Sequence, residues 1–327
     1  MNLVTATRDP VLSEDWHVAC RSTEVAEGSV LGTRILGEDI VIWREDSRVH
    51  AWKDLCVHRG ARLSLGVVEK GTLKCPYHGW TYDSEGKCVL MPAHPNIKPS
   101  PRANVTVYQA REEYGYVYVK MGSSLSGLPI FPEYSDPTFR KIHCGPYTMK
   151  ASAPRVVENF LDVAHFPFVH EGILGDKGYA EIADYDVMTD ERGITTSEIQ
   201  VWQPNPDGSG SGKKVAYIYR VFRPLTAYFI KRSGSDAFSI FMNVTPLNPA
   251  ESVMWMIIAM NYGFEVPDER IRSFQDRIVA QDKQIVESQR PELLPLDLQA
   301  ELHLRSDRTA IAYRRWLKSL GVSFGTA

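Results

Sequence analysis

The feature that most restricts the fold is a spacing: Cys56-Val-His58, sixteen residues, then Cys75-Pro-Tyr-His78-Gly-Trp80. Two thiols and two imidazoles make a complete ligand set, so the chain between them must fold back and present two loops to one site. Thiolates suit iron and sulfide, and replacing two of four thiolates on one iron by neutral imidazoles raises the reduction potential above that of an all-cysteine cluster. The set reads as a 2Fe-2S cluster that relays electrons. Structural zinc is the alternative, but zinc fingers keep their two cysteines together and their two histidines together, whereas here each half contributes one of each. Cys20, Cys88 and Cys144, with His17, His50, His94, His143 and His303, read as packing or surface residues.

A second constellation lies at residues 158–170, ENFLDVAHFPFVH, which sets Asn159, Asp162, His165 and His170 among apolar neighbours. Burying two imidazoles beside Phe160, Leu161, Phe166 and Phe168 is costly unless they bind a metal or hydrogen-bond strongly. On these residues alone, hydrogen-bonded core histidines are the plainer reading. A 2-His-1-carboxylate triad would need an acid on a buried face and would leave coordination positions open for O2. Residues 267–290 have helical period, with Ile271, Phe274, Ile278, Ile285 and Val286 recurring at three- and four-residue steps. Asp282 falls almost in line with Ile271, Ile278 and Ile285, whereas Asp276 and Glu287 point away. An acid on an apolar stripe needs compensation, which metal ligation supplies; pairing with a nearby arginine is the alternative. Asp162 is not needed to complete the triad and is suited to fixing the tautomer of an imidazole ligand. Asn159, one turn earlier, either reaches the iron or O2 or bonds backbone.

Both constellations sit in a chain of 327 residues, long enough for two domains. Residues 11–120 hold short β-rich runs such as GTRILGEDIVIWRED and YGYVYVKMG, and the Pro- and Ser-rich passage 124–141 marks a boundary near 133. The expected domains are therefore 1–133 and 134–327. Helix is expected over 155–164 until Pro167 stops it. The β-branched and aromatic runs VAYIYRVFR, TAYFIKR, FSIFMNVTP and SVMWMIIAMNY follow as strands. The fold class is α+β: an antiparallel β domain followed by an antiparallel sheet with flanking helices, helix-grip-like. Trp202, Tyr217, Tyr219, Phe229, Phe241, Asn243, Trp255 and Asn261 are candidates for a substrate pocket by location.

A net charge of -3 offers none of the basic excess that nucleic-acid or anionic-membrane binding needs. No secretion signal or 18-residue apolar span is legible. Five thinly spread cysteines read as reduced thiols or ligands in a cytoplasm.

The CVH and CPYHGW pair and the ENFLDVAHFPFVH run together resemble the Rieske non-heme iron oxygenases over nearly the whole chain, and Asp282 falls where that family's third iron ligand is expected. Length and the lack of large insertions are similar to the single-subunit type that includes dicamba monooxygenase and vanillate demethylase. HFPFVHEGILGD and SDRTAIAYRRWLKSLGVSFG are similar to segments of saxitoxin-tailoring oxygenases, which does not establish a substrate. The resemblance implies a 2Fe-2S cluster, an Fe(II) site, and O2 with two electrons and two protons to hydroxylate a small organic molecule or remove an O- or N-methyl group. It also implies a homotrimer in which the cluster of one subunit serves the iron of the next, with Asp162 as the bridge. No GxGxxG fingerprint follows a strand and no second cysteine cluster is present, so NAD(P)H electrons must arrive through a separate reductase or ferredoxin. A Rieske electron carrier without catalysis accounts for the first half equally well but leaves the second half without a use.

Overall fold

The computed structural model describes residues 9–206 and 210–327. The chain divides after Gly127 into two compact units, Met1–Gly127 and Leu128–Ala327. The division falls six residues ahead of the expected boundary, because side chains in the Pro-rich passage already pack on the second unit: Phe131 stacks on Phe241 at 4.9 Å, and the Tyr228 hydroxyl donates to Glu133 Oε1 at 2.5 Å.

The first unit opens with the short α1 (Pro10–Ser13), then β1 (His17–Arg21), β2 (Val30–Ile35), β3 (Glu38–Glu45) and β4 (Arg48–Lys53). A small four-stranded sheet follows, β5 (Val67–Glu69), β6 (Thr72–Lys74), β7 (Thr81–Tyr82) and β8 (Cys88–Leu90). The chain then returns as β9 (Val107–Glu113) and β10 (Tyr116–Lys120) to complete a six-stranded antiparallel sheet of order β1-β10-β9-β4-β3-β2. The core between these sheets holds Trp43, Trp52, Leu63, Leu73 and Tyr82 together with Cys56 and Cys75. The Cys56 loop leaves β4, and the Cys75 loop joins β6 to β7.

In the second unit β11 (Arg140–Met149) precedes α2 (Ala153–Leu161) and α3 (Phe166–Val169). The strands β12 (Val187–Asp190), β13 (Gly193–Thr196), β14 (Ile199–Gln203), β15 (Lys213–Arg223), β16 (Thr226–Ser233), β17 (Asp236–Asn248) and β18 (Glu251–Met260) follow, then α4 (Asp268–Val286) and α5 (Arg308–Leu320). The antiparallel sheet runs β11-β18-β17-β16-β15-β13-β12, with β14 also paired to β15. All four strand runs read from the sequence are present as β15 to β18. β11 escapes such a reading because Pro146 interrupts it; the strand lies at the sheet edge and its register shifts between Cys144 and Tyr147, the setting in which a strand tolerates proline.

Two helix expectations are corrected. α2 ends at Leu161 instead of 164, where Asp162 turns to an extended conformation, and Pro167 opens α3 instead of stopping its predecessor. Proline fits a first turn, where its missing N–H has no intrahelical partner. On α4 the buried face is Gln275, Ile278, Val279 and Val286, while Phe274 and Ile285 are 42% and 47% exposed. At 100° per residue that face is centred on Asp282 itself.

Candidate functional site

The two cysteine loops of the first unit are built alike. The N–H of Cys56 donates to Ala61 O at 2.8 Å and that of Gly60 to Cys56 O at 2.8 Å; the N–H of Cys75 donates to Trp80 O at 2.8 Å and that of Gly79 to Cys75 O at 3.1 Å. Each loop thus closes on itself at the same offsets, four and five residues after its cysteine. Both turns need a left-handed residue, and Gly60 and Gly79 supply it at φ +72° and +69°.

The loops bring the predicted cluster residues together in two pairs, Cys56 with Cys75 and His58 with His78. Cys56 and Cys75 are 2% exposed, and burial pushes the Cys75 thiol pKa up. His58 and His78 stand edge to face at 4.5 Å, and His58 lies flat on Trp80 at 4.5 Å. His58 Nδ1 is buried without a hydrogen-bond partner among the described residues. An orphaned imidazole nitrogen beside a second imidazole, with two buried thiols, fits a two-Cys, two-His cluster. Tyr82, which sequence reasoning missed, places its hydroxyl 3.2 Å from Cys56 Sγ. Its position in the CPYHGWTY run was the available signal.

In the second unit, His165 precedes α3 and His170 ends it, so one helical turn carries both imidazoles to the same point. Their Nε2 atoms lie 3.3 Å apart, and Asp282 Oδ1, from α4, is 3.3 Å and 3.0 Å from them. Each ring is held from behind: His165 Nδ1 is 3.1 Å from Asp162 Oδ2, and His170 Nδ1 is 2.9 Å from Gln281 Oε1. Both partners accept, so each Nδ1 carries the proton and each Nε2 turns a lone pair inward. Asp282 Oδ1 has no hydrogen-bond partner of its own among the described residues. Three such donors within 4.8 Å of one another repel unless a metal cation or a proton lies between them. The field is strong: burial disfavours a charged His165, yet Asp162 and Asp282 lift its pKa to about 9. This donor set fits a divalent iron with free coordination positions.

Asp162 also braces its own turn, with Oδ1 accepting from Ala164 N at 2.7 Å. Gln281 was not foreseen; only its place next to Asp282 could have marked it. Asp276, the other acid considered on this helix, is taken up by the Tyr147 hydroxyl at 2.6 Å and lies outside the triad.

A cavity of about 330 Å³ reaches the triad and is lined by Asn159, Phe160, Tyr217, Tyr219 and Phe229 among others. Of the eight pocket candidates, Tyr217, Tyr219 and Phe229 line it. Trp202, Phe241, Asn243, Trp255 and Asn261 do not: Asn243, for example, accepts from Thr226 Oγ1, and Asn261 from Ala237 N. Gln203 and Lys231 add polar groups to the wall and were not foreseen.

Comparison with known proteins supplies the family. Residues 15–108 match the Rieske [2Fe-2S] domain, and residues 149–322 match the vanillate O-demethylase oxygenase C-terminal domain. Methylxanthine N1-demethylase NdmA of Pseudomonas putida is 33% identical over 317 residues, covering 93% of this chain and 88% of that one. The chain is a Rieske non-heme iron oxygenase. The vanillate O-demethylase oxygenase subunit of Pseudomonas sp. (strain HR199 / DSM 7063) is 30% identical to this oxygenase, over 92% of each. The solved structure of NdmA superposes with a TM-score of 0.82 at 30% identity, over 95% of this chain and 91% of that one. Dicamba monooxygenase bound to dicamba shares the fold, with a TM-score of 0.81 at 22% identity over 96% and 98%. As a Rieske oxygenase the protein uses a 2Fe-2S cluster, non-heme iron, O2 and reductase-supplied electrons, and the reading as a bare electron carrier is set aside.

Proposed function

We propose that this oxygenase removes an N- or O-methyl group from a small planar aromatic or alkaloid-like substrate. The observation that carries the reading is the cavity of about 330 Å³ at the His165–His170–Asp282 triad, walled by aromatic side chains and sized for one or two fused rings. Two of its relatives, acting on methylxanthines and on vanillate, are demethylases by name. The methyl carbon receives one oxygen atom of O2, and two electrons and two protons reduce the other to water. The resulting hydroxymethyl group leaves as formaldehyde and frees the N–H or O–H.

In this reading Cys56, Cys75, His58 and His78 hold the cluster, and His165, His170 and Asp282 hold the iron, whose chemistry when bound is O2 activation. The aromatic wall excludes water and presses the flat ring against a fixed face. Asn159 lines the cavity beside the triad and orients the methyl group or O2. Asp162 keeps the proton of His165 on Nδ1 and, still 36% exposed, can accept a further bond from the partner subunit's His78 in a homotrimer. The five cysteines are free, which suits a reducing cytoplasm. No helix among the described residues is long and apolar enough to cross a membrane.

The test is a panel of methylated aromatics with a surrogate reductase and NADH, reading formaldehyde against O2 consumed. Equal amounts of the two support demethylation; ring-hydroxylated product without formaldehyde refutes it. Cys75→Ser should abolish the EPR signal of the reduced cluster. His170→Ala or Asp282→Ala should lower iron from roughly three to roughly two per chain with the cluster spectrum unchanged. Asp162→Asn should keep both metals and lose rapid cluster oxidation in a single turnover; oxidation at the wild-type rate would exclude the bridge.

A further inference from the structure

The cavity wall carries a directional hydrogen-bond relay that ends on an unused donor. Lys231 Nζ can only donate, so Gln203 Oε1, 3.3 Å away, accepts. The amide nitrogen of Gln203 then donates, to Tyr217 Oη at 2.9 Å and to Leu174 O at 3.4 Å. Tyr217 Oη is thereby an acceptor from Gln203, and its own O–H must point elsewhere. No acceptor for that O–H exists among the described residues. Gln203 and Tyr217 are 1% and 3% exposed, so water outside the cavity does not satisfy them. Gln203, Tyr217 and Lys231 all line the cavity.

Strand pairing fixes the arrangement. Tyr217 of β15 sits opposite Lys231 of β16, and Gln203 ends the neighbouring β14, so the three side chains share one face of the sheet. Tyr219, two residues along β15, stacks near-parallel to Tyr217 at 5.9 Å, and its hydroxyl also lacks a partner among the described residues. A buried O–H without an acceptor is costly, and native structures keep one where a ligand completes it. Each donor in such a chain polarises the next, so the cation at Lys231 strengthens the Tyr217 O–H as a donor. Burial holds the phenol protonated, with its pKa raised far above its usual value.

We infer that the substrate offers an oxygen acceptor, a carbonyl or a carboxylate, to the phenol of Tyr217, and that the Lys231–Gln203–Tyr217 relay selects substrates bearing one. This deepens the demethylase reading and rests on it. A flat substrate anchored by its oxygen at the relay is held at one edge, leaving the rest of the ring to reach the triad.

Three probes of one shape separate the contributions: 3-methoxybenzoate, 3-methoxybenzamide and 3-methoxytoluene, titrated calorimetrically into iron-loaded wild type, Tyr217→Phe and Lys231→Met. Wild type should bind the first two more tightly than the third. Tyr217→Phe should weaken both by about tenfold, the effect of one lost buried hydrogen bond, and leave 3-methoxytoluene unchanged. Lys231→Met should give a smaller loss in the same direction, larger for the benzoate if a carboxylate is the natural acceptor. Wild type that does not prefer the carboxylate and amide probes, or a Tyr217→Phe protein that weakens all three equally, overturns the relay. Iron content separates the two levels: full iron without discrimination defeats only the relay, while wild type that takes up no mononuclear iron defeats the oxygenase site and the relay together.

Discussion

Gln281 and Asp162 have the same task on different imidazoles, and they differ in charge. Asp162 accepts from His165 Nδ1 as a carboxylate, partly open to solvent, while Gln281 accepts from His170 Nδ1 as a neutral amide behind a ring that is 1% exposed. A neutral acceptor suffices where burial would penalise a second charge. Replacing Gln281 by Ala leaves the His170 N–H without its acceptor and lets the ring turn. Iron affinity should fall by about 10- to 100-fold, the usual effect of losing such a support, with cluster absorbance unchanged. Iron titration followed by optical readout of the cluster checks both halves; unchanged affinity would mean that the backbone alone fixes the ring. The sequence marked the proposed ligands better than their supports. His165, His170 and Asp282 stood out as polar residues in apolar company, whereas Gln281 is an ordinary helical residue whose value comes from a partner 111 positions away.

Among the elements, α4 is tied to the edge strand β11 along its length, which sets the height of Asp282. Arg272 Nε donates to His143 O at 3.2 Å, Tyr147 to Asp276, Lys283 Nζ to Thr148 O at 2.7 Å, and Lys150 N to Glu287 Oε1 at 2.8 Å. α2 is anchored differently, by a buried charge network to α5. Arg314 makes a two-pronged contact with Glu158 at 2.6 and 2.7 Å and also meets Glu301, and Arg155 bonds Glu301 at 2.8 Å. Arg314→Ala strands Glu158, 8% exposed, without its main partner. The expected loss is about 3–5 kcal/mol, read from denaturant midpoints of the two proteins. A loss below about 1 kcal/mol would show the network to be solvated. None of this was legible beforehand. Helical period located α4 and put Asp282 on its inner face, yet it took Phe274 and Ile285 as core, because periodicity reports hydrophobicity and a cavity wall or an exposed edge is apolar too. β11 was hidden by Pro146, since edge position is a property of the sheet and not of the segment.

At the scale of the molecule, the fold class could be read ahead, as could the convergence of His165, His170 and Asp282, because ligand sets require unusual residues at fixed spacings. The substrate wall could not, because aromatic residues on a buried sheet look the same whether they pack on a helix or face a cavity. The polar relay joins three strands and exists only once they pair. One whole-chain property follows from the triad. The three donors converge only in the folded second unit, so metal and folding are linked, and iron at 100 times its dissociation constant should add about 2.7 kcal/mol. Chelation of the mononuclear iron should therefore lower the melting temperature of wild type, and that shift should vanish in Asp282→Ala, measured by calorimetry with the cluster intact. An equal shift in both proteins would show that the chelator acts elsewhere.

Asp282 lies at the centre of the buried face of α4, where a chain without a metal would place a leucine. A cell short of iron would then be expected to hold less of this protein, and not merely a less active form of it. Chains without iron would open more often and be cleared by proteolysis before they could occupy a place among working enzymes.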